Sequence, residues 1–576
     1  MRNFVFCTTI TIALCSLTFA QDWPQWALNA QHTGDVNVQG QSLTQTLVNI
    51  VYDPLVPQEQ YWSGGDLLAH FQAPLVDGND VYMVFKSGKY RPTSYATQTW
   101  SERKLSWHGT QLLTQWSFTT DWVAPGSLHD FWEPVFHPAL SGDSIYIPGA
   151  GGTIFQVRKS DGTVVRRLNP FGSVNPNTFT VSPITVDANG NLYYNVLRLS
   201  ATGGDFYDSD AKDSWLVKVS ALGTISKVSY LTLTPGAPGP KGQCLTSFSN
   251  AQLPWPPSPT AVPPSSTCGT QRVALNVAPA VAPDGTIYSA TRSHFNRRYG
   301  YLVAVNTDLT RKWNATIRDR FNDGCRVVST DAGIMPLNGE AGGCRIGSTV
   351  AVDPVTNRPG GGSILDDSSA TPTVAPDGSV FFGVHTTYNY RQGQLMKFDH
   401  NGNYSGAYEF GWDTTPAIYP HNGTYSVVLK ENHYGDVGSY CNGGGFYCPT
   451  DRTATNPSSP EAYFVTQLDP SLNVEWRFQN TNTLSCVRNP DNTVSCTSDH
   501  PNGFEWCVNA AVVDNNGTVY GNSEDGNLYA ISQGGTLSGN IFQQLAIGAA
   551  YTPTSLGQDG KIYTQNAGHL FVAAGP

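Results

Sequence analysis

The chain has 576 residues, 39% hydrophobic and 11% aromatic, so it can bury a sizeable core and is not disordered by composition. Charged residues make up only 13%, against an ordinary share of roughly 25%, and the net charge is −11. Lys and Arg form no stripe, which excludes a nucleic-acid backbone as partner.

In chain order, the N-terminus reads MRNFVFCTTITIALCSLTFAQDW. One Arg, a short apolar run and the small residues around Thr18-Phe19-Ala20 predict a signal peptide over 1–20. No second run of membrane-spanning length follows, so the mature chain is expected to be secreted or periplasmic and without a transmembrane segment. Leader removal leaves nine of the 11 cysteines. Neighbouring pairs make Cys244 with Cys268, Cys325 with Cys344, Cys441 with Cys448, and Cys486 with Cys496 disulfide candidates, although spacing alone does not fix connectivity. Cys507 is left over and reads as a buried thiol or an alternative disulfide partner.

Eight phrases repeat one pattern: a small apolar run usually led by Pro, an Asp/Asn-Gly turn, then a β-branched residue and an aromatic. They begin at Ala73, Pro134, Pro183, Pro279, Pro372, Pro416, Ala510 and Pro553, for example PAVAPDGTIY and PTVAPDGSVF. Asp-Gly and Asn-Gly supply the positive φ of a tight hairpin, and the flanks suit half-buried strands. A second hairpin follows most phrases, as in GYLVAVNTDLTRKW from Gly300 and GQLMKFDHNGNY from Gly393. Two hairpins make a four-stranded sheet, and sheets repeated about an axis protect their edges. The predicted fold is all-β: an eight-bladed propeller of four-stranded antiparallel blades. The last unit is one strand short, and TLVNIVYD (Thr46 to Asp53) has the alternation to supply it, closing the ring by pairing N- and C-terminal segments. Residues 21–576 then form a single domain, with insertions near 233–274, 318–366, 430–460 and 480–505. Each insertion bears a candidate disulfide.

These phrases resemble the repeats of the pyrroloquinoline-quinone (PQQ)-like propeller superfamily, which includes quinoprotein alcohol dehydrogenases and a lipoprotein of the outer-membrane barrel-assembly machinery. The opening DWPQWALNAQHTG resembles the Trp-Pro…His-Thr-Gly start of many exported members. For the dehydrogenases, the resemblance implies PQQ and calcium in the central channel. The chain departs from them in three ways. It has no adjacent Cys pair, no haem-attachment CxxCH, and AVNTDLTRKW (Ala304 to Trp313) is one residue short of their tryptophan-docking motif and lacks its Gly. No cofactor is therefore assigned, with PQQ or calcium the candidates if there is one.

If the Pro-led phrase is the innermost strand, the residues just before it face the channel mouth. They nominate His70, Trp132, Glu133, Asn276, Asp367, Trp412, Asp413, Trp506, Asn509 and Tyr551 as ligand-binding candidates, although polar residues line any wet channel. GSLHDFWEPVFHP concentrates His129, Asp130, Glu133 and His137, but strand alternation would split them between two faces, so no metal ligands are assigned. SDHPNGFEWCVNA offers His500, Glu505 and Cys507, where a Cys–His pair is conceivable. Asp208, Asp210 and Asp213 read as a solvated acidic turn. No catalytic residue is assigned. The function expected is a non-enzymatic module binding envelope or extracellular protein, peptide or glycan. The alternatives are a quinoprotein-like dehydrogenase, or a polysaccharide lyase or hydrolase using Glu133 and Asp413 at the mouth.

Overall fold

The computed structural model describes residues 23–68, 70–125, 133, 135–201, 205–245, 265–317, 362–386, 393–408, 410–433, 461–489, 491, 493–548 and 553–575. The candidates Trp132 and Tyr551, the leader, His129, Asp130, and the pairs Cys325/Cys344 and Cys441/Cys448 lie outside them.

Each of the eight phrases opens a blade. The innermost strands are Leu75–Asp77, Ala139–Ser141, Thr185–Val186, Ala280–Val281, Thr373–Val374, Ala417–His421, Val512–Val513 and Ser555–Leu556. Each pairs antiparallel with the next strand of its own blade, and every blade then runs outward strand by strand. In blade 1, for example, Leu75–Asp77 is followed by Asp80–Gly88, Gln98–His108 and Gln111–Thr119. The turn glycine between the first two strands has positive φ in all eight, from 54° at Gly142 to 83° at Gly285. That is why glycine recurs there. Blades 3, 4 and 5 carry a further short strand, Thr178–Thr180, Gln271–Val273 and Gly362–Ser363, beside the second strand.

The ring closes as the alternation predicts. Gln45–Val51 is the outer strand of blade 8, with Gln45 opposite Ala574 and Val51 opposite His569. The core lies between blades, where aliphatic and aromatic side chains of neighbouring sheets interdigitate, Trp100 with Trp122 and Phe136 among them.

Strand direction alternates within a blade, so two kinds of link share one face, here called upper: second strand to third, and fourth strand to the next blade. All four insertions occur in such links. Residues 233–274 follow Ile225–Ser229, 318–366 follow Arg311–Thr316, 430–460 begin at the end of Thr424–His433, and 480–505 follow Val474–Gln479. Among the described residues two disulfides are formed, Cys244–Cys268 and Cys486–Cys496, each at a two-stranded sheet separate from the blade sheets. Cys507 carries a buried thiol outside both. Among the described residues no helix is long and apolar enough to cross a membrane.

Candidate functional site

The bore of the ring is occupied by the chain itself. Innermost strands are edge strands, and their inward N–H groups need acceptors once buried. The segment 23–41 supplies them around the circle. Val76 N donates to Trp23 O at 2.9 Å, Leu140 N to Pro24 O at 2.8 Å, and Val186 N to Gln25 Oε1 at 2.5 Å. Val281 N donates to Ala30 O at 2.6 Å, Val374 N to Gln31 O at 2.9 Å, Ile418 N to Thr33 O at 2.8 Å, and Val513 N to Gly34 O at 2.9 Å. Gln41 N donates to Gly560 O of blade 8 at 2.8 Å. One stretch of chain thus reaches all eight blades: its carbonyls accept from six, the Gln25 side chain accepts from blade 3, and Gln41 N–H donates to blade 8.

Trp26 fills the axis above this belt. Its ring meets His137 edge-on at 5.6 Å and packs on Ala278 and Ala510. His32 Nδ1 lies 2.8 Å from Pro372 O. Burial lowers the imidazoles of both His32 and His137 to about 4, so both are neutral in ordinary buffers. A flat quinone in this part of the bore would have to displace Trp26. Below the belt, between it and the turns of blades 1 to 3, lies an open cleft of about 490 Å³ lined by Gln25, Asn29, Gln31, Asp77, Lys159 and Asp187 among others.

The predicted mouth residues that are described do not form one ring around a ligand. Most tie adjacent blades together. Asn276 sits in the left-handed region (φ 64°) and donates Nδ2–H to Asp366 O at 2.8 Å. Asp413 Oδ1 accepts from Ser369 N at 2.6 Å, and its Oδ2 is 3.4 Å from Lys430 Nζ. Trp506 donates its indole N–H to Tyr463 O at 3.1 Å, and Asn509 O accepts from Thr415 N at 2.7 Å. Trp412 is half-buried with its ring on His385, and Asp367 is half-buried on the approach to blade 5.

His70 and Glu133 do come together, in a cluster that sequence reading missed in part. Lys86 Nζ is 2.5 Å from Asp53 Oδ2, 3.0 Å from Glu59 Oε1, and in contact with Glu133 Oε1. His70 Nε2 lies 3.2 Å from Glu59 Oε2 and 4.0 Å from Glu133 Oε2, while Tyr52 OH is 2.7 Å from its Nδ1. Burial pushes the Glu59 carboxyl up, but Lys86 and His70 outweigh it and hold it down at about 2. For Lys86 burial works against the charge, and Asp53 and Glu59 win, holding the ammonium charged. The available signal was Lys86 itself: in DVYMVFKSG alternation puts it on the same face as Tyr82 and Val84, and a lysine on a buried face demands carboxylates.

A second buried ion cluster joins blades 3, 4 and 5. Asp366 takes both Nη atoms of Arg272 (2.9 and 2.6 Å), Arg292 Nη1 (2.8 Å) and Tyr207 OH (2.6 Å). The two guanidinium groups outweigh burial and hold its carboxyl far below the usual range. Near blade 7, Glu505, Cys507 and Glu524 bring two carboxyls and a thiol within 4.8 Å of one another. Burial, then Glu505, push the Glu524 carboxyl well above its ordinary value. The conceivable Cys–His pair is not formed: His500 bonds Asp499 at 2.6 Å and stacks on Phe504. Asp210 accepts from Thr270 across 60 positions, and Asp213, within the strand Ala211–Val219, accepts from Ser229 of the neighbouring strand.

No family model and no curated protein matches the sequence. Solved structures do match. A quinohemoprotein alcohol dehydrogenase from Comamonas testosteroni superposes over 96% of this chain and 80% of its own, at 11% identity and a TM-score of 0.51. The chain has the PQQ-like propeller fold. Two further structures align over most of this propeller: BamB from Moraxella catarrhalis (92% of this chain, 99% of that one, 12% identity, TM-score 0.41) and a quinohemoprotein alcohol dehydrogenase from Pseudomonas putida (96% and 76%, 11% identity, TM-score 0.46). At 11% identity the Comamonas likeness speaks for the fold alone, and function has to be argued from this chain's own residues.

Proposed function

We propose that this propeller is an exported, non-enzymatic binding module, secreted or periplasmic, that engages an envelope or extracellular protein, peptide or glycan through its upper face. The observation that carries this reading is the asymmetry between the two faces. Residues 23–41 plug the bore, and the four stretches read as insertions all begin in upper links, with none in a lower turn. On that same face the helix Val56–Ser63 presents Tyr61 and Trp62, 79% and 59% exposed and edge-on to each other at 5.5 Å. Aromatic pairs held out in water are costly unless they anchor a partner, and Tyr and Trp dominate interface hot spots and sugar stacking.

Catalytic alternatives find less support in the described residues. Glu133 and Asp413, the carboxylates a lyase or hydrolase would use at the mouth, are buried and committed to Lys86 and to Ser369 and Lys430. A dehydrogenase would need a quinone pocket where Trp26 stands.

The test is a panel of envelope polysaccharides and extended peptides, titrated against the full chain. Replacing Tyr61 and Trp62 by Ala should weaken the binding found at least tenfold, while Asp161→Ala, in a lower-face turn, should leave it unchanged. Equal affinity in both variants, or PQQ- and calcium-dependent dye reduction with an alcohol, would overturn the reading.

A further inference from the structure

The link that closes the ring carries Asp53, Glu59 and His70, blade 1 contributes Lys86, and the approach to blade 2 contributes Glu133. All five are buried, none more than 4% exposed. We propose that Asp53, Glu59, His70 and Glu133 bind a divalent first-row transition-metal ion that locks this closure, with Lys86 as its outer-sphere neighbour.

Two of the three carboxylates divide their oxygens between two targets, while Asp53 turns Oδ2 to both Lys86 and His70 and Oδ1 to Leu55 N. Glu59 turns Oε1 to Lys86 and Oε2 to His70, and Glu133 does the same. The distances from His70 Nε2 to Glu59 Oε2, Asp53 Oδ2 and Glu133 Oε2 are 3.2, 3.7 and 4.0 Å, and one ligand atom from each of the four residues lies within 4.8 Å of the others. Four ligands on a tetrahedral ion with bonds of about 2.1 Å stand about 3.4 Å apart, so only a small inward movement is needed.

Charge balance points the same way. Three carboxylates face one ammonium and one imidazole, all five buried, so acidic groups outnumber basic ones in the cluster. Uncompensated buried charge is among the most expensive features a fold can carry, and a divalent cation cancels it. The imidazole is already set for ligation: Nδ1 is held by Tyr52 OH and Nε2 faces the oxygens. An independent sign is Gln72, 2% exposed. Its amide reaches into the cluster, donating to Glu133 Oε2 at 3.3 Å, yet its Oε1 has no hydrogen-bond donor. A water on the ion would satisfy it. An imidazole among the ligands favours zinc, manganese, iron or cobalt over calcium, which takes oxygen ligands.

The inference is independent of the binding reading and its assay does not touch Tyr61 or Trp62. Natively purified full chain, analysed for metals, should hold about one equivalent of such an ion. Chelation should lower its melting temperature by several degrees, and Zn²⁺ or Mn²⁺ should restore it. Folded His70→Gln should lose the ion. Because that variant could fail to fold, Co²⁺ added to chelated wild-type chain provides a second readout, a d–d absorption band from protein ligands. The proposal is overturned by a chain that carries no ion and whose melting ignores chelator, Zn²⁺, Mn²⁺ and Co²⁺, or by folded His70→Gln that retains its metal.

Discussion

The indole N–H of Trp26 donates to Thr415 Oγ1 at 3.2 Å across 389 positions of sequence. Thr415 Oγ1 also lies 3.2 Å from Thr371 Oγ1, and Thr371 Oγ1 lies 3.1 Å from His32 Nδ1. Trp26 and His32 therefore join blades 5 and 6 at the axis, beside the bridge that Thr415 makes to Ala510 of blade 7. The segment 23–41 acts as a hub as well as a plug.

Trp26→Ala should cost about 3–5 kcal/mol, as for other large core aromatics, because the side chain is 2% exposed and the surrounding blades cannot collapse inward. Trp26→Phe keeps most of the volume, loses the bond to Thr415, and should cost less. Urea unfolding followed by tryptophan fluorescence ranks the two; equal midpoints for wild type and Trp26→Ala would refute the hub.

Gly34 tests how closely the hub approaches blade 7. Its φ is +60°, and a Cβ there would stand 2.3 Å from Ala511 O, a backbone atom with nowhere to go. Gly142, with φ +54°, has open space around its Cβ position. Gly142→Ala should show only the left-handed cost of roughly 1–2 kcal/mol, and Gly34→Ala clearly more. Thermal melts of the pair isolate the contact from the dihedral.

The repeat was legible because each blade restates a local rule. An Asp/Asn-Gly turn, a β-branched residue and an aromatic mark most first hairpins (blade 2 turns on Ser141-Gly142, and blade 3 has Leu192 before its aromatic), and Thr46 to Asp53 shows the alternation of the strand that closes blade 8. Contacts between blades were not. The carboxylate partners of Lys86 stand 33, 27 and 47 positions away, so no spacing announces them. Residues such as Asp413 and Asn276, which a strand-by-strand reading aims at the channel, are caught between blades because eight sheets converge there. The hub sequence DWPQWALNAQHTG has no regular period, and nothing local says that its carbonyls go to a different blade every few residues.

Acid should unfold the chain in two stages. His32 and His137 have folded values of about 4, below the ordinary 6.5, because burial disfavours their charged forms. The unfolded chain thus binds more protons than the folded one between those values. Stability is full above about pH 6.5 and falls as pH drops toward 4, by up to about 3 kcal/mol per imidazole. Below that, Glu59 and Asp366 lose their ion pairs as the unfolded carboxylates take up protons. Urea midpoints at pH 7, 5.5 and 4.5 should decline, and His32→Asn should flatten the decline. Buried carboxyls raised in the fold, such as Glu102, slope the other way, so the deciding comparison is with His32→Asn: a pH profile parallel to wild type would contradict a neutral buried imidazole at His32.

Glu102 gives the opposite slope. It is fully buried in blade 1, opposite Val84 on the face that carries Lys86 and Trp100, and neither carboxyl oxygen has a hydrogen-bond partner. Burial pushes its carboxyl well above the ordinary value, so the folded chain keeps a proton that the unfolded chain releases above about pH 4.3. Its contribution is therefore intact below that pH and is lost as pH rises toward the folded value. Glu102→Gln preserves the shape without the proton. Relative to wild type it should gain at least about 1 kcal/mol between pH 5 and pH 8, in the range of a buried unsatisfied polar group. Because the two imidazoles contribute little above pH 7, the comparison from pH 7 to pH 8.5 isolates this carboxyl. A parallel slope in the two proteins would mean that Glu102 ionises in the fold and has found a cation.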